Sequence, residues 1–294
     1  MSPGHDMMVA TCEVCPRHCR LVPGALGACR ARRNVDGVVV PENYGRVTSL
    51  ALDPVEKKPL ARWRPGGYVV SVGSYGCNLA CPFCQNHQIS QHGQRDVPWR
   101  ELSPEGLVAL TVDAAARDPR VAGIAFTYNE PLVGWEYVRD ASRLAHERGL
   151  ETVLVSNGCA DQRVIDSLAP LVDAANIDLK SLSPEFYEAC GAPEGALDAV
   201  RATIERLAAE PGCHLEVTTL VVPGMNDSED GMDGIAGWLA SLNGGRGANE
   251  LTLHITRFFG RWRMTDAAPT PVETVYRLAD VARRHLSHAF VGNC

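Results

Sequence analysis

Gly76-Cys77-Asn78-Leu79-Ala80-Cys81-Pro82-Phe83-Cys84-Gln85-Asn86 follows at once on a short apolar run, Tyr68 to Val72, and that junction governs the reading of the whole chain. The run is brief and rich in Val, as a buried strand is. Five more such runs follow: Val121 to Thr127, Thr152 to Ser156, Ala174 to Leu179, His214 to Val222 and Leu251 to Thr256. The segments between them have helical spacing. Ser103-Pro104 reads as an N-cap with proline in the first turn, ahead of Leu107, Leu110 and Ala114 on one face. Leu197, Val200, Ile204 and Leu207 form another stripe, and Gly149 closes a helix that opens near Trp135. Thr270, Pro271 and Glu273 read as a capping box before Val275 and Leu278. This alternation predicts an α/β fold, a parallel sheet covered by helices. Six right-handed β-α units can close partly into a barrel or spread as a doubly wound sheet, and periodicity does not choose between them. In either case ligands sit beyond the carboxyl ends of the strands, which is where the three thiols fall.

Residues 1–67 lack the alternation. They hold Cys12, Cys15, Cys19 and Cys29 and a strand-like Val38 to Val40, and read as a small metal-knotted extension on the barrel edge, with 68–294 as the main domain. The glycine-rich stretch Asn243 to Gly247 reads as a flexible turn. A length of 294 residues fits one large domain plus such an appendage. With 45% apolar and 21% charged residues the chain is neither disordered, fibrous nor membrane-spanning in composition. Its 28 basic and 35 acidic side chains leave a net charge of -7 with no long basic run, which argues against nucleic acid or anionic lipid as partners. No signal-like segment opens the chain, and no run reaches the roughly 18 apolar residues of a membrane span, so the cytoplasm is the expected compartment.

Eleven cysteines in such a chain point to metal or redox chemistry rather than to disulfides. Cys77, Cys81 and Cys84 supply three thiolates, one short of a 4Fe-4S cube, which leaves an iron open for a substrate or cofactor. A zinc knot is the alternative, but it needs a fourth ligand, and His87 is the obvious local candidate. Cys12, Cys15, Cys19 and Cys29 can close either a tetrahedral zinc site or a second iron-sulfur cluster. Cys159, Cys190 and Cys213 read as small core hydrophobes or surface thiols, and Cys294 as a mobile terminal thiol able to reach a nearby site.

The spacing of the trio, with Phe83 before its last cysteine, closely resembles the cluster motif of radical S-adenosylmethionine enzymes. The resemblance implies a partial (β/α)6 TIM-like barrel with a small cysteine-rich N-terminal extension. It implies that Cys77, Cys81 and Cys84 bind a 4Fe-4S cluster whose open iron chelates S-adenosylmethionine, with Phe83 near the adenine. Cleavage of the sulfonium would give a 5'-deoxyadenosyl radical that abstracts hydrogen from a substrate. Thr127-Tyr128-Asn129-Glu130-Pro131 stands where activating enzymes of the pyruvate formate-lyase type carry Gly-Gly-Glu-Pro, which puts Asn129 and Glu130 at the methionine amino group. Val155-Ser156-Asn157-Gly158 resembles the family's Thr-Asn-Gly turn near the ribose, with Val155 where those activases have an aspartate. Lys180, beside Asp178, would meet the methionine carboxylate; a structural Lys-Asp pair is the alternative that one strand face also allows, and the strand end, where this architecture puts ligands, favours the cofactor.

A closer resemblance spans nearly the whole chain. Cys12-x2-Cys15-x3-Cys19, Gly27-Ala28-Cys29, Asp53 to Leu60, Cys84-Gln85-Asn86, Thr127 to Pro131, His254 to Phe258 and Val291-Gly292-Asn293 together look like the AmmeMemoRadiSam system radical enzyme. His254 and Arg257 then become a cofactor contact and an anion or substrate clamp, against ordinary salt-bridge duty. Glu56, Lys57 and Lys58 are either a solvated charge cluster or functional, and Arg257, Arg261 and Arg263 with Phe258, Phe259 and Trp262 form a small basic aromatic patch able to stack a base. The partners implied are S-adenosylmethionine and an electron donor such as flavodoxin or ferredoxin. The substrate is a protein attacked at a backbone glycine, or a small molecule or nucleotide. From outside the class, a non-catalytic zinc-binding interaction module is the rival reading.

Overall fold

Each of the six apolar runs becomes a strand within one residue of its expected ends, and all six lie in one eight-stranded sheet. The computed structural model describes residues 8–242 and 251–294, so the turn expected at Asn243 to Gly247 lies outside it. The strands are β1 (Ser49–Pro54), β2 (Tyr68–Gly73), β3 (Val121–Phe126), β4 (Glu151–Ser156), β5 (Ala174–Asp178), β6 (His214–Val221), β7 (Thr252–Arg257) and β8 (Ala289–Gly292). They follow one another across the sheet without a reversal. From β2 to β8 every pairing is parallel, while β1 runs antiparallel to β2. A right-handed crossover repeated in one direction puts every helix on the same face, so the sheet curls around the other. A doubly wound sheet would need a switch point in the order, and there is none. The edge strands β1 and β8 do not pair with each other, so the barrel is partial.

The two edge strands are additions to the six expected. β1 carries no apolar stripe, its one buried residue being Asp53, and β8 is four residues long. The boundary expected at residue 67 therefore falls between two paired strands, and residues 49–67 belong to the barrel. Val55 and Leu60, fully buried, and Trp63 fill its interior against Val69, Ala125, Val153 and Ala174. Burial of Leu60 there contributes about 2 kcal/mol. One residue along each of these strands, Ile124, Leu154 and Ala175 belong to the larger core that includes the helices, which is the alternation a strand imposes.

The helices are α1 (His87–Ser90), α2 (Pro104–Arg117), α3 (Trp135–His146), α4 (Gln162–Leu168), α5 (Pro184–Ala189), α6 (Ala196–Ala209), α7 (Glu229–Ser241) and α8 (Val272–Ala282). Ser103 caps α2 by accepting from the Gly106 amide at 3.2 Å. The buried face of α2 is Leu107, Val108 and Thr111, and Leu110, expected on it, is 45% exposed. Nor does Thr270 cap α8. Its hydroxyl donates to the Val221 carbonyl at 2.6 Å and accepts from the Phe258 amide at 3.2 Å, tying the loop after β7 to the end of β6.

The extension consists of two short antiparallel ribbons, Ala10–Thr11 with Arg20–Leu21 and Arg32–Val35 with Val38–Pro41. It lies on the carboxyl-end face of the barrel rather than against its edge. The Asp161 amide, after β4, donates to the Val14 carbonyl, and Arg17 reaches the Gly191 carbonyl beyond α5 at 2.6 Å. Arg32 pairs with Glu136 at the start of α3. Gly76, at φ +89°, lets the cysteine loop pass so close that a Cβ there would stand 2.5 Å from the Cys29 carbonyl oxygen.

Candidate active site

The loop that leaves β2 is held open by its neighbours. The Asn129 side chain accepts from the Ser74 amide at 2.9 Å and donates to the Tyr75 and Gly76 carbonyls at 3.1 Å each. The Ala80 amide donates to the Cys190 carbonyl at 2.7 Å, and Cys84 closes a turn onto Cys81. Cys77, Cys81 and Cys84 consequently line one wall of a cleft of about 640 Å³ whose other walls include Glu130, Ser156, Asn157, Asp178 and Lys180. Four consecutive parallel strands, β2 to β5, thus deliver their carboxyl ends to one place, as the architecture requires.

The donors around these sulfurs suit anionic ligands. The Leu79 amide lies 3.4 Å from the Cys77 sulfur and the Asn157 side-chain nitrogen 3.6 Å from it. The Ser90 hydroxyl is 3.3 Å from the Cys84 sulfur, to which the Asn86 amide also donates. Burial pushes the Cys77 and Cys84 thiols up. Cys81 goes the other way, to about 7, because the Cys190 thiol donates to it and the Lys180 ammonium stands near. Three thiols with inward N–H donors and an unblocked cleft on their free side fit a 4Fe-4S cluster with one iron left for a ligand. Among the described residues, the four cysteines of the extension included, no group of three or more His, Cys, Asp or Glu side chains is drawn together around a single metal ion. His87, the expected fourth zinc ligand, instead stacks on Trp262 at 5.6 Å.

Glu130 is 3% exposed. One of its oxygens accepts from the Ser156 hydroxyl at 2.7 Å and the Leu132 amide at 2.9 Å, and the other from the Asn157 amide at 2.8 Å. Burial raises its carboxyl to about 7 against those hydrogen bonds. Lys180 reaches Asp178 at 3.0 Å. Although burial disfavours the ammonium, Asp178 and the nearby thiols Cys81 and Cys190 hold its pKa above the usual lysine value. A second cleft of about 730 Å³ shares Cys81, Cys84, Asp178 and Lys180 with the first and adds Phe83, Leu220, Arg257, Phe259 and Arg261. Phe83 packs edge-on against Phe258 at 6.0 Å. Arg257 is anchored by its Nε donating to the Thr270 carbonyl at 2.7 Å, with its guanidinium 4.9 Å from the Phe259 ring centre.

Two expected contacts have other partners. His254 sits below the strand end, where it bonds the buried Glu216 carboxylate at 2.5 Å, and it lines neither cleft. Asn129 does line the cleft, but its amide is spent on the cysteine loop. The basic aromatic patch is dispersed rather than a platform: Phe258 is buried, Phe259 exposed, and Trp262 lies over His87. Cys294 is exposed and lines neither cleft.

Other groups were not legible as neighbours. Cys190, fully buried, touches Cys81. Tyr128 lines the cleft at φ +73°, and its hydroxyl donates to Asp53 of β1 at 2.6 Å. Lys58 bonds the same Asp53 oxygen at 2.8 Å and lies 4.8 Å from the Tyr128 ring centre, whereas Lys57 is exposed. Though burial opposes it, the Lys58 and Tyr128 hydrogen bonds hold Asp53 well below the usual carboxylate range. The Asp53-to-Leu60 run pointed to these residues as a motif, but nothing in its spacing named Tyr128 as the partner.

The geometry has counterparts in known proteins. The family model described as the Radical SAM superfamily matches residues 71–232, more than half of the chain. An uncharacterized protein of Methanocaldococcus jannaschii is 37% identical over 283 residues, 96% of this chain and 80% of that protein. The pyruvate formate-lyase 1-activating enzyme of Escherichia coli is 25% identical over 158 residues, 53% of this chain and 61% of that enzyme. Among solved structures, a radical SAM methyltransferase from Sphaerobacter thermophilus superposes with a TM-score of 0.58 at 20% identity, covering 77% of this chain and 66% of the other, a likeness of fold.

Proposed function

This chain belongs to the radical SAM superfamily, and from that premise we propose that it is an activase-like enzyme of the AmmeMemoRadiSam system type that takes hydrogen from a protein substrate. A 4Fe-4S cluster with S-adenosylmethionine supplies the chemistry, reductive release of a 5'-deoxyadenosyl radical, and the chain supplies placement. Cys77, Cys81 and Cys84 hold the cluster. Glu130, fixed by Ser156, Leu132 and Asn157, presents a carboxylate to the cationic amino group, and Lys180 offers a cation to the carboxylate, so the two charges orient the methionine end. Ser156 and Asn157 border the ribose, and Phe83 closes the adenine side with its ring. Arg257 stands where an anionic group of cofactor or substrate would pass.

The observation that carries this reading is the convergence of the three thiols, Glu130 and the Asp178-Lys180 pair on one cleft from four consecutive strand ends. A protein substrate is supported by the rim, where Gln85, Phe259 and Arg261 are exposed around the adjoining cleft, and by the similarity to an activating enzyme. Cys12, Cys15, Cys19 and Cys29 form a second metal site, zinc or iron-sulfur, and a flavodoxin or ferredoxin is the electron donor in this reading. No described helix is long and apolar enough to cross a membrane. The test is anaerobic reconstitution with iron and sulfide, followed by reductant and S-adenosylmethionine. 5'-Deoxyadenosine should accumulate, and its absence from fully loaded protein refutes the assignment.

A further inference from the structure

The four cysteines of the extension are arranged like the trio of the cleft. Chain reversal brings the Cys12 amide to the Cys19 carbonyl at 2.9 Å, and the thiols of Cys12, Cys15 and Cys19 all lie near enough to act on Cys29. The amide two residues ahead donates to the sulfur in three cases, Val14 to Cys12, Arg17 to Cys15 and Ala31 to Cys29. The same step joins Leu79 to Cys77 and Asn86 to Cys84. A neutral thiol is a weak acceptor, so a repeated N–H pattern of this kind serves thiolates. Arg32, 4% exposed, lies beside Cys12; its terminal nitrogens are taken by the Glu136 carboxylate and the Val133 and Val39 carbonyls, while its Nε has no hydrogen-bond partner. A buried guanidinium N–H without a partner beside a thiol gains an acceptor when that thiol becomes a thiolate, as metal ligation would make it.

The position of this group says more than its composition. Asn78, the residue after Cys77, lies against the Cys15 thiol, with its Nδ2 donating to the Cys159 carbonyl at 2.6 Å. Its side-chain oxygen accepts from Asn157 Nδ2 at 2.9 Å, and that same nitrogen lies 3.6 Å from the Cys77 sulfur. Both amides are buried. Gly76 presses against the Cys29 carbonyl on the other side. A structural zinc needs no particular neighbour and carries no electrons, yet this site is set against the one loop that must receive them, and Cys19 remains partly exposed.

We propose that Cys12, Cys15, Cys19 and Cys29 hold an iron-sulfur cluster that relays electrons to the catalytic cluster by way of Cys15, Asn78, Asn157 and Cys77. The relay rests on the catalytic reading above. A one-electron donor of the flavodoxin or ferredoxin class is oxidised by one electron. The extension cluster is reduced and then reoxidised as the catalytic cluster accepts that electron, with no bond or proton exchanged.

The experiment uses the full chain isolated without oxygen. Wild type should carry about eight iron and eight sulfide, and both Cys81→Ala and the double variant Cys15→Ser/Cys29→Ser about four of each. Asn78→Leu keeps every ligand and so covers the case in which the double variant fails to fold. In stopped-flow absorbance with reduced flavodoxin, the ratio of its catalytic-cluster reduction rate to that with dithionite should fall at least about tenfold below wild type. One zinc with about four iron per wild-type chain overturns the proposal, as does a wild-type ratio in Asn78→Leu. Full iron in wild type without any 5'-deoxyadenosine would sink the catalytic reading instead, with the extension cluster still counted in Cys81→Ala.

Discussion

The two cysteine groups share a local grammar and differ in what surrounds them. Both take amide N–H donors onto sulfur from two residues ahead. The trio opens onto a cleft flanked by Glu130, Asp178 and Lys180, whereas in the extension three of the four thiols are buried and the neighbouring charge is Arg32. Three thiols beside an open cleft would leave a bound metal exposed to a cofactor, while four thiols in a closed site would leave it electron storage or structure. The difference lies in the number of thiols and in the charges brought by the barrel, not in the cysteine spacing alone.

The largest expected effect is on the open group. Cys81→Ala should lower dithionite-driven 5'-deoxyadenosine formation at least about a hundredfold, measured by chromatography, while Cys15→Ala retains most of it; equal losses would erase the distinction drawn between the groups. On the closed side, Arg32→Met leaves Glu136 unpaired and should cost about 3 kcal/mol in urea unfolding of the metal-loaded protein. Indifference of stability to that change would show that Arg32 is not a support of the extension.

Glu130 gives an intermediate effect with a pH signature. Its folded carboxyl holds a proton up to about 7, whereas the unfolded chain releases it near 4.5. The folded state thus binds more protons between those values, so its raised pKa stabilises the cofactor-free protein at low pH, and that contribution is lost as pH rises through 7. Wild type should lose stability relative to Glu130→Gln across that window. S-Adenosylmethionine binding should move oppositely. At pH 8, Glu130→Gln should bind about tenfold more weakly by equilibrium dialysis, and the gap should narrow toward pH 6, where wild type is itself protonated. A pH-independent ratio would remove Glu130 from contact with the amino group. The smallest effect belongs to Lys57→Ala, within about 0.5 kcal/mol, because Lys57 is exposed while Lys58 is buried on the same carboxylate.

Legibility followed range. Strands β2 to β7 and the Ser103 cap could be read because their signals are local and periodic. β1 and β8 could not, since a strand whose buried residue is Asp53 and one only four residues long lack the pattern that marks a strand. The trio and Glu130 were readable as motifs at strand ends. Between the two readings of His254 the sequence could not choose, because a motif fixes which strand carries a residue but not its height along the barrel, where Glu216 of the neighbouring strand bonds it. The contacts of Asp53 with Tyr128, of Cys190 with Cys81 and of Asn78 with Cys15 join residues from 63 to 109 positions apart, which no spacing rule relates.

Tyr128 bears on how the molecule comes apart. Its hydroxyl grips the sheet's antiparallel margin through Asp53, while its backbone carbonyl is held by Asn86 at 2.7 Å. An outermost strand is ordinarily the first to fray, but here peeling it away pulls directly on the mouth. Heat or protease acting at that margin therefore dismantles the catalytic face early, and an agent gripping that face holds the selvedge in place.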